Sequence, residues 1–322
     1  MKKQRTYIVS SAQISVQEPF CTAGDFVEIP SGGGLYPCKE PDYKPFVSPM
    51  ASRRMSPILK RSIAVSKRAL LDAGIACPDA IVAGTGLGCV SDTESFLLKM
   101  TEEGENLLNP SRFISSTPNT IASQIAMELE CQGFNSTHVH DGFAFEGALQ
   151  ESIMMLGRGE VSNVLLCAAD QTTPLLHSMV DRESIWKGLP CSEGAVCFIL
   201  SNEVPVEGAA SIEDMLVCRD NPLREVERMM RENEISWDDI DCVVTSGFPG
   251  QELQDFHFIP EDKTVLTYKQ YCGQWLTASA FGMLTCCSSL SAKDSARRRI
   301  LLCNHSGRTY SFIILYGLCT TN

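Results

Sequence analysis

Short apolar segments alternate with amphipathic ones along almost the whole chain, and the alternation runs twice. In the first series, strands are predicted at Thr6–Gln13, Ala80–Gly86, Asn135–His140, Asn163–Ala168 and Ala195–Ser201. Helices are predicted at Pro57–Ala73, Asp92–Thr101, Thr117–Glu130 and Phe143–Gly157. The second series reads strand Ile212–Cys218, helix Leu223–Asn233, strands Cys242–Thr245 and Thr264–Thr267, helix Thr277–Ser291, then strands Arg299–Cys303 and Tyr310–Tyr316. Segments of this kind bury their apolar faces by stacking helices on a mostly parallel sheet, so the expected fold class is a layered α/β protein. The join near Glu203–Ala209 divides it into an N-terminal half, residues 1–205, and a shorter C-terminal half, residues 206–322.

Between residues 15 and 56 the periodicity fails, with Gly32-Gly33-Gly34 and five prolines (Pro19, Pro30, Pro37, Pro41, Pro45). The segment reads as a flexible surface excursion; no Lys-Ser/Thr pair follows the glycines to make a phosphate loop. Gly84-Thr85-Gly86-Leu87-Gly88 follows a strand and precedes a helix, but it lacks the third glycine at the proper place and a confirming acidic residue on a next strand, as a dinucleotide fingerprint requires.

A hydrophobic content of 44% with 20% charged residues is that of a globular chain, and no apolar run approaches the ~18–20 residues of a membrane span. Fifteen cysteines lie scattered without metal-ligand spacing, and Cys286-Cys287 falls in an apolar helical pattern, so they read as buried thiols of a reducing compartment. With Tyr7–Val9 too short for a secretory core, a cytoplasmic location is expected. The net charge of −12 and pI near 4.9 argue against nucleic acid and anionic membranes as partners. Nothing in the chain implies a cofactor.

Gly133–Leu149 reads as a strand running through a tight turn into a helix. Such an elbow exposes one side chain and aims backbone N–H groups at whatever reacts there, but its apex here is Gly142, which has no side chain. His138 and His140, at i and i+2, put both imidazoles on one face; a metal pair and an interface or core role are the alternatives, with no further ligand cluster in the sequence. Phe143, Phe145, Phe281 and Trp275 read either as core or as the lining of an apolar tunnel.

Several motifs, in one order along the chain, resemble β-ketoacyl synthases of the thiolase fold: Arg53-Arg54-Met55-Ser56, Ala83–Gly88, Pro118-Asn119-Thr120-Ile121-Ala122 and Ser192-Glu193-Gly194-Ala195. The resemblance covers most of the chain and implies duplicated βαβαβαββ halves in an α-β-α-β-α sandwich. It also implies three working residues, a cysteine and two histidines. Counting from Gly133 places Gly142 at the cysteine. Val243–Phe248 matches the strand and turn of the first histidine with Ser246 in its place, and Lys269–Gln274 keeps Lys269 and Gly273 but offers Gln274 for the second. Glutamine cannot take up a proton near neutral pH. Asn304-His305-Ser306-Gly307 keeps only the start of the family's glycine-rich oxyanion loop, with Asn304 and Gly307 retained beside Glu193 and Gly194 as motif residues.

The resemblance therefore implies a catalytically degenerate subunit of chain-length-factor type, most like those of aryl polyene and flexirubin-type pigment clusters, paired with an active ketosynthase. The partner would perform the condensation and dock the acidic acyl carrier protein. Asn135–His140 would lie at the interface, and Arg112–Thr117, with Phe113, Ile114, Ser116 and Thr117, near the acyl pocket. Two alternatives stand beside it. One is an active 3-oxoacyl-acyl carrier protein synthase with relocated residues, Cys272 or Cys191 replacing the thiol, or a residual decarboxylase or hydrolase using His140 and Gln274; the other is a homodimeric acyl-binding scaffold. Lys269 is expected to be partly buried and to pair with Glu193.

Overall fold

The structure, a computed structural model, describes residues 5–104, 110–183, 185–186, 188–204, 210–290 and 299–317. The expected division at 205/206 lies outside the described residues, as does Ser291, the expected end of the last helix.

The first half contains β1 (Thr6–Ile14), β2 (Gly34–Tyr36), α1 (Pro49–Ser52), α2 (Pro57–Ala73), β3 (Ala80–Thr85), α3 (Val90–Glu103), α4 (Pro110–Ser116), α5 (Thr120–Glu128), β4 (Phe134–Val139), α6 (Ala144–Gly157), β5 (Asn163–Asp170), α7 (Pro174–Arg182), β6 (Pro190–Ser192) and β7 (Gly194–Ser201). The second contains β8 (Ala210–Arg219), α8 (Pro222–Glu232), β9 (Cys242–Thr245), β10 (Val265–Thr267), α9 (Lys269–Cys272), α10 (Ser279–Leu290), β11 (Arg299–Ser306) and β12 (Thr309–Gly317). Local chemistry sets several of these bounds. Proline at the first turn of α2 costs no hydrogen bond, and Gly74, left-handed at φ 68°, closes the helix by donating to Leu70 and Leu71.

One ten-stranded sheet runs in the order β10-β9-β11-β12-β8-β1-β7-β5-β3-β4. Its two halves have the same topology. β3 pairs parallel with β4 and β5, while β5–β7 and β7–β1 are antiparallel. In the second half β9 pairs parallel with β10 and β11, and β11–β12 and β12–β8 are antiparallel. β1 and β8 join the halves antiparallel. The helices repeat less fully, because the chain between β9 and β10 makes turns where α3–α5 stand between β3 and β4.

Three apolar layers follow from the alternation of side chains along the strands. The central one packs α6 (Phe145, Ala148, Leu149) and α10 (Phe281, Met283, Leu284) between the facing strands of the two halves. A second lies between α2 and α5 and the outer face of the first half, and a third beneath α8 on the second. This is the α-β-α-β-α sandwich. Trp275 is 2% exposed and belongs with Phe145 and Phe281 to the central layer, so these aromatic side chains are core. Among the described residues no helix is long and apolar enough to cross a membrane.

The excursion after β1 is tied down, unlike the flexible loop expected. The Gln17 amide donates to the carbonyls of Val27 (2.7 Å) and Tyr271 (2.6 Å), and Gly34–Tyr36 pairs parallel with Pro190–Ser192. α4 and α7 were not anticipated by the periodicity.

Candidate functional site

The elbow is present as a backbone feature. β4 ends at Val139, His140 leaves the extended region at φ −155° and ψ 63°, Asp141 takes φ +39°, and a single 3₁₀ turn, Asp141–Phe143, leads into α6. A left-handed aspartate is a strained conformation retained at the bend. Phe143 N–H donates to the His140 carbonyl at 2.8 Å, closing the turn.

Gly142 sits buried at the apex. A Cβ built there would lie 3.4 Å from Ser306 Cβ, 3.5 Å from Ser306 Oγ and 3.9 Å from the Leu276 carbonyl oxygen. These are ordinary contacts, and the residue has no left-handed φ, so the backbone would accept a side chain. Packing at the apex therefore does not require glycine.

The second half supplies the groups around it. Asn304, at the C-terminal end of β11, donates from Nδ2 to the Gly142 carbonyl (3.2 Å) and to Glu146 Oε1 (2.9 Å). Ser311 Oγ donates to the same Glu146 oxygen at 2.9 Å, and Tyr268 OH reaches Asn304 Oδ1 at 3.5 Å. Glu146 is fully buried, and burial pushes its carboxyl above the ordinary range while the Asn304 and Ser311 hydrogen bonds oppose the shift. Ser246, just past β9, is 7% exposed and its Oγ accepts the His305 N–H at 3.1 Å. Gly142, Ser246, Asn304 and Ser306 therefore converge from three strand ends.

Gln274 is held by its backbone, donating to Pro190 O at 2.7 Å and accepting from Ser192 N at 2.9 Å. Gly273 ahead of it has φ +71°, and a Cβ there would lie 2.8 Å from Pro190 O, which explains the glycine of the Lys269–Gly273 pattern. Lys269 is buried, and burial pulls its ammonium down to about 8 against the opposing fields of Cys272 and Asp255. Its expected partner is wrong. Among the described residues Lys269 makes no ion pair and instead faces the Phe248 ring at 5.7 Å, while Glu193 is taken by Arg61, whose Nη2 donates at 2.7 Å. Arg61 also holds Glu40 at 2.5 Å and is only 4% exposed.

The remaining expected residues are spread over the surface and core. His138 binds Glu151 at 2.8 Å, shared with Ser136, while the His140 ring lies 6.4 Å from that of Phe143, so the two imidazoles take different neighbours. Among the described residues no three His, Cys, Asp or Glu side chains gather as a metal site. Phe143 is 6% exposed, and Phe145 is wholly buried against Phe198, inside the sandwich. Phe113 and Ile114 on α4 are exposed, with Ser116 and Thr117 bonded back to their carbonyls. Gly194 leaves room for Trp275, whose ring would overlap a Cβ at that position. Gly307 has φ +63° in the β11–β12 turn. Burial raises the Cys191 thiol to about 11, with Asp181 adding to it, and raises Cys272 further, so neither is an activated thiolate.

Glu146, Arg61 and Ser306 escaped the sequence reading. So did Asp170, whose Oδ1 accepts from Thr85 Oγ1 (3.1 Å) and Gly86 N (2.8 Å) while Oδ2 accepts from Thr277 N (2.9 Å) and Oγ1 (2.7 Å). That carboxylate clasps one half to the other. The signal for Glu146 was available: it is a carboxylate one turn after Gly142, set among Ala144, Phe145, Ala148 and Leu149.

Residues 31–177 match the family model described as β-ketoacyl synthase, N-terminal domain. No curated protein matches the sequence. The fold is similar to that of the ishigamide ketosynthase/chain length factor, at 14% identity and TM-score 0.79, covering 97% of this chain and 99% of that one. It is equally similar to a type II polyketide ketosynthase solved with its acyl-carrier protein and bound to the hexaketide, at 12% identity and TM-score 0.80, covering 98% and 100%. A β-ketoacyl synthase from Burkholderia phymatum STM815 superposes at 13% identity and TM-score 0.79, covering 98% and 100%. With the duplicated sheet, the central pair of helices and the elbow in place, this chain has the thiolase-like ketosynthase fold, and its residues 31–177 match the β-ketoacyl synthase N-terminal domain.

Proposed function

We propose that this protein is a non-catalytic, chain-length-factor-type subunit that pairs with a cysteine-bearing ketosynthase in polyketide or fatty-acid-like biosynthesis, of the aryl polyene type. The observation that carries the reading is the elbow itself: strain, helix and backbone hydrogen bonds are retained around Gly142, and the nucleophile is missing from its apex. Ser306 Oγ approaches that apex but makes no hydrogen bond to a base among the described residues, and the neighbouring His305 ring is held by Asp255 (3.2 Å) and the Gly307 carbonyl (2.9 Å). Ser246 and Gln274 cannot shuttle a proton near neutral pH.

Support for pairing comes from the sheet. β4 is the outermost strand of the first half, with only β3 beside it, and Phe134 and Val139 on it are about half exposed. An edge of this kind offers a row of unpaired backbone groups to a second chain. In this reading the partner carries the thiol and docks the acyl carrier protein, while this chain shapes the acyl cavity. Co-expression with a neighbouring ketosynthase and affinity purification test it. A one-to-one complex whose condensing activity is lost only on mutating the partner's cysteine supports the proposal; condensation by this chain in the partner's absence overturns it.

A further inference from the structure

Cys77 and Cys131 stand apart from the buried thiols. Cys77 is exposed and Cys131 half-buried, and the Cys131 sulfur is near enough to help raise the Cys77 thiol. Both also point at one carbonyl, that of Pro78, at 3.6 Å and 3.3 Å. The strand register explains the meeting. Ala80 of β3 faces Phe134 of β4 in the parallel ladder, and each cysteine stands three residues ahead of its member of that pair. Paired strands run about 4.8 Å apart, within the ~4.4–6.8 Å Cα separation that a disulfide spans. The approach is kept close by Gly133, where a Cβ would lie 2.2 Å from the Asp79 carbonyl oxygen. Cys131 also lines a surface groove of about 560 Å³, which gives solutes a path to it.

We propose that Cys77 and Cys131 form an oxidisable dithiol, a modification site at which a peroxide closes a disulfide between the α2–β3 and α5–β4 loops. The Cys77 sulfur attacks a peroxide oxygen, the O–O bond breaks, and the departing hydroxide takes a proton to leave as water. Cys131 sulfur then attacks the resulting sulfenic sulfur, the S–O bond breaks, a second water leaves and the S–S bond forms. Two thiols lose two electrons and two protons, and one peroxide becomes two waters. Burial, Cys131 and Asp79 together push the Cys77 thiol above its ordinary value, so its attack on peroxide speeds up as pH rises.

The disulfide would pin the foot of β4 without involving the elbow, so its formation is independent of the pairing proposed above. Reduced, purified chain treated with hydrogen peroxide and mapped by non-reducing peptide mass spectrometry tests it. The expected product is lighter by about 2 Da and contains one peptide joining Cys77 to Cys131. Its melting temperature rises by roughly 5 °C, and dithiothreitol reverses the rise. Neither change occurs in Cys77→Ser, which alters only an exposed side chain and is expected to fold. Oxidation of Cys77 to sulfinic or sulfonic acid with Cys131 left as a thiol would overturn the proposal, as would a disulfide from either cysteine to any other.

Discussion

At the residue scale, two positions separate form from chemistry. The apex of the elbow accepts a Cβ without a clash, so Gly142→Cys is expected to fold with a stability change of about 1 kcal/mol or less. It should not restore condensation, because Ser246 and Gln274 still stand where proton-transferring groups would be needed; a radiolabelled malonyl thioester assay reads this directly. Glu146 is the second. Its folded carboxyl lies above the unfolded value of about 4.3, so its contribution to stability is present below that value and is lost as pH rises through the folded one. Urea denaturation of Glu146→Gln from pH 4 to 8 should show a shallower fall of stability with pH than the parent, the remaining slope coming from Asp170, which burial also raises. Glu146→Ala, which removes the acceptor of Ser311 and one of the two acceptors of Asn304, should cost about 2–3 kcal/mol.

At the scale of elements, the reading from sequence succeeded where local chemistry decides and failed where distance does. α2 was legible to the residue because proline opens it and a left-handed glycine closes it. α7 carried comparable signals, Thr173 capping Leu176 N–H and Pro174 in the first turn, but it spans only nine residues and buries only Val180. The pairing of Lys269 with Glu193 failed because Glu193 meets Arg61 from α2, 132 residues away, and no local pattern records that contact. Arg61 is 4% exposed, and removing it leaves Glu193 buried without its counter-charge. Arg61→Ala should therefore lose about 3–5 kcal/mol in chemical denaturation, with α2 loosened from the β6–β7 junction. On the opposite edge, β4 bears exposed apolar side chains. Val139→Arg should leave the melting temperature of the isolated chain nearly unchanged and abolish co-elution with a ketosynthase partner in size-exclusion chromatography.

At the scale of the whole molecule, two α/β halves were readable from two runs of alternating segments, and the motifs, through the family they resemble, pointed to the duplicated thiolase-like fold. What could not be read was how the halves are fastened. Asp170 bridges Gly86 and Thr277, Asn304 reaches across to Gly142, and Trp275 fills the space above Gly194. Each of these joins residues far apart in the chain through the closed sandwich, and together they hold the ketosynthase-like fold around Gly142. The measurement that bears most directly on this is intact-mass spectrometry of the purified chain incubated with acyl and malonyl thioesters, with the released products analysed in parallel. No acyl adduct and no β-ketoacyl product is the predicted result. An adduct on Ser306 or on any cysteine, accompanied by an elongated product, would contradict it.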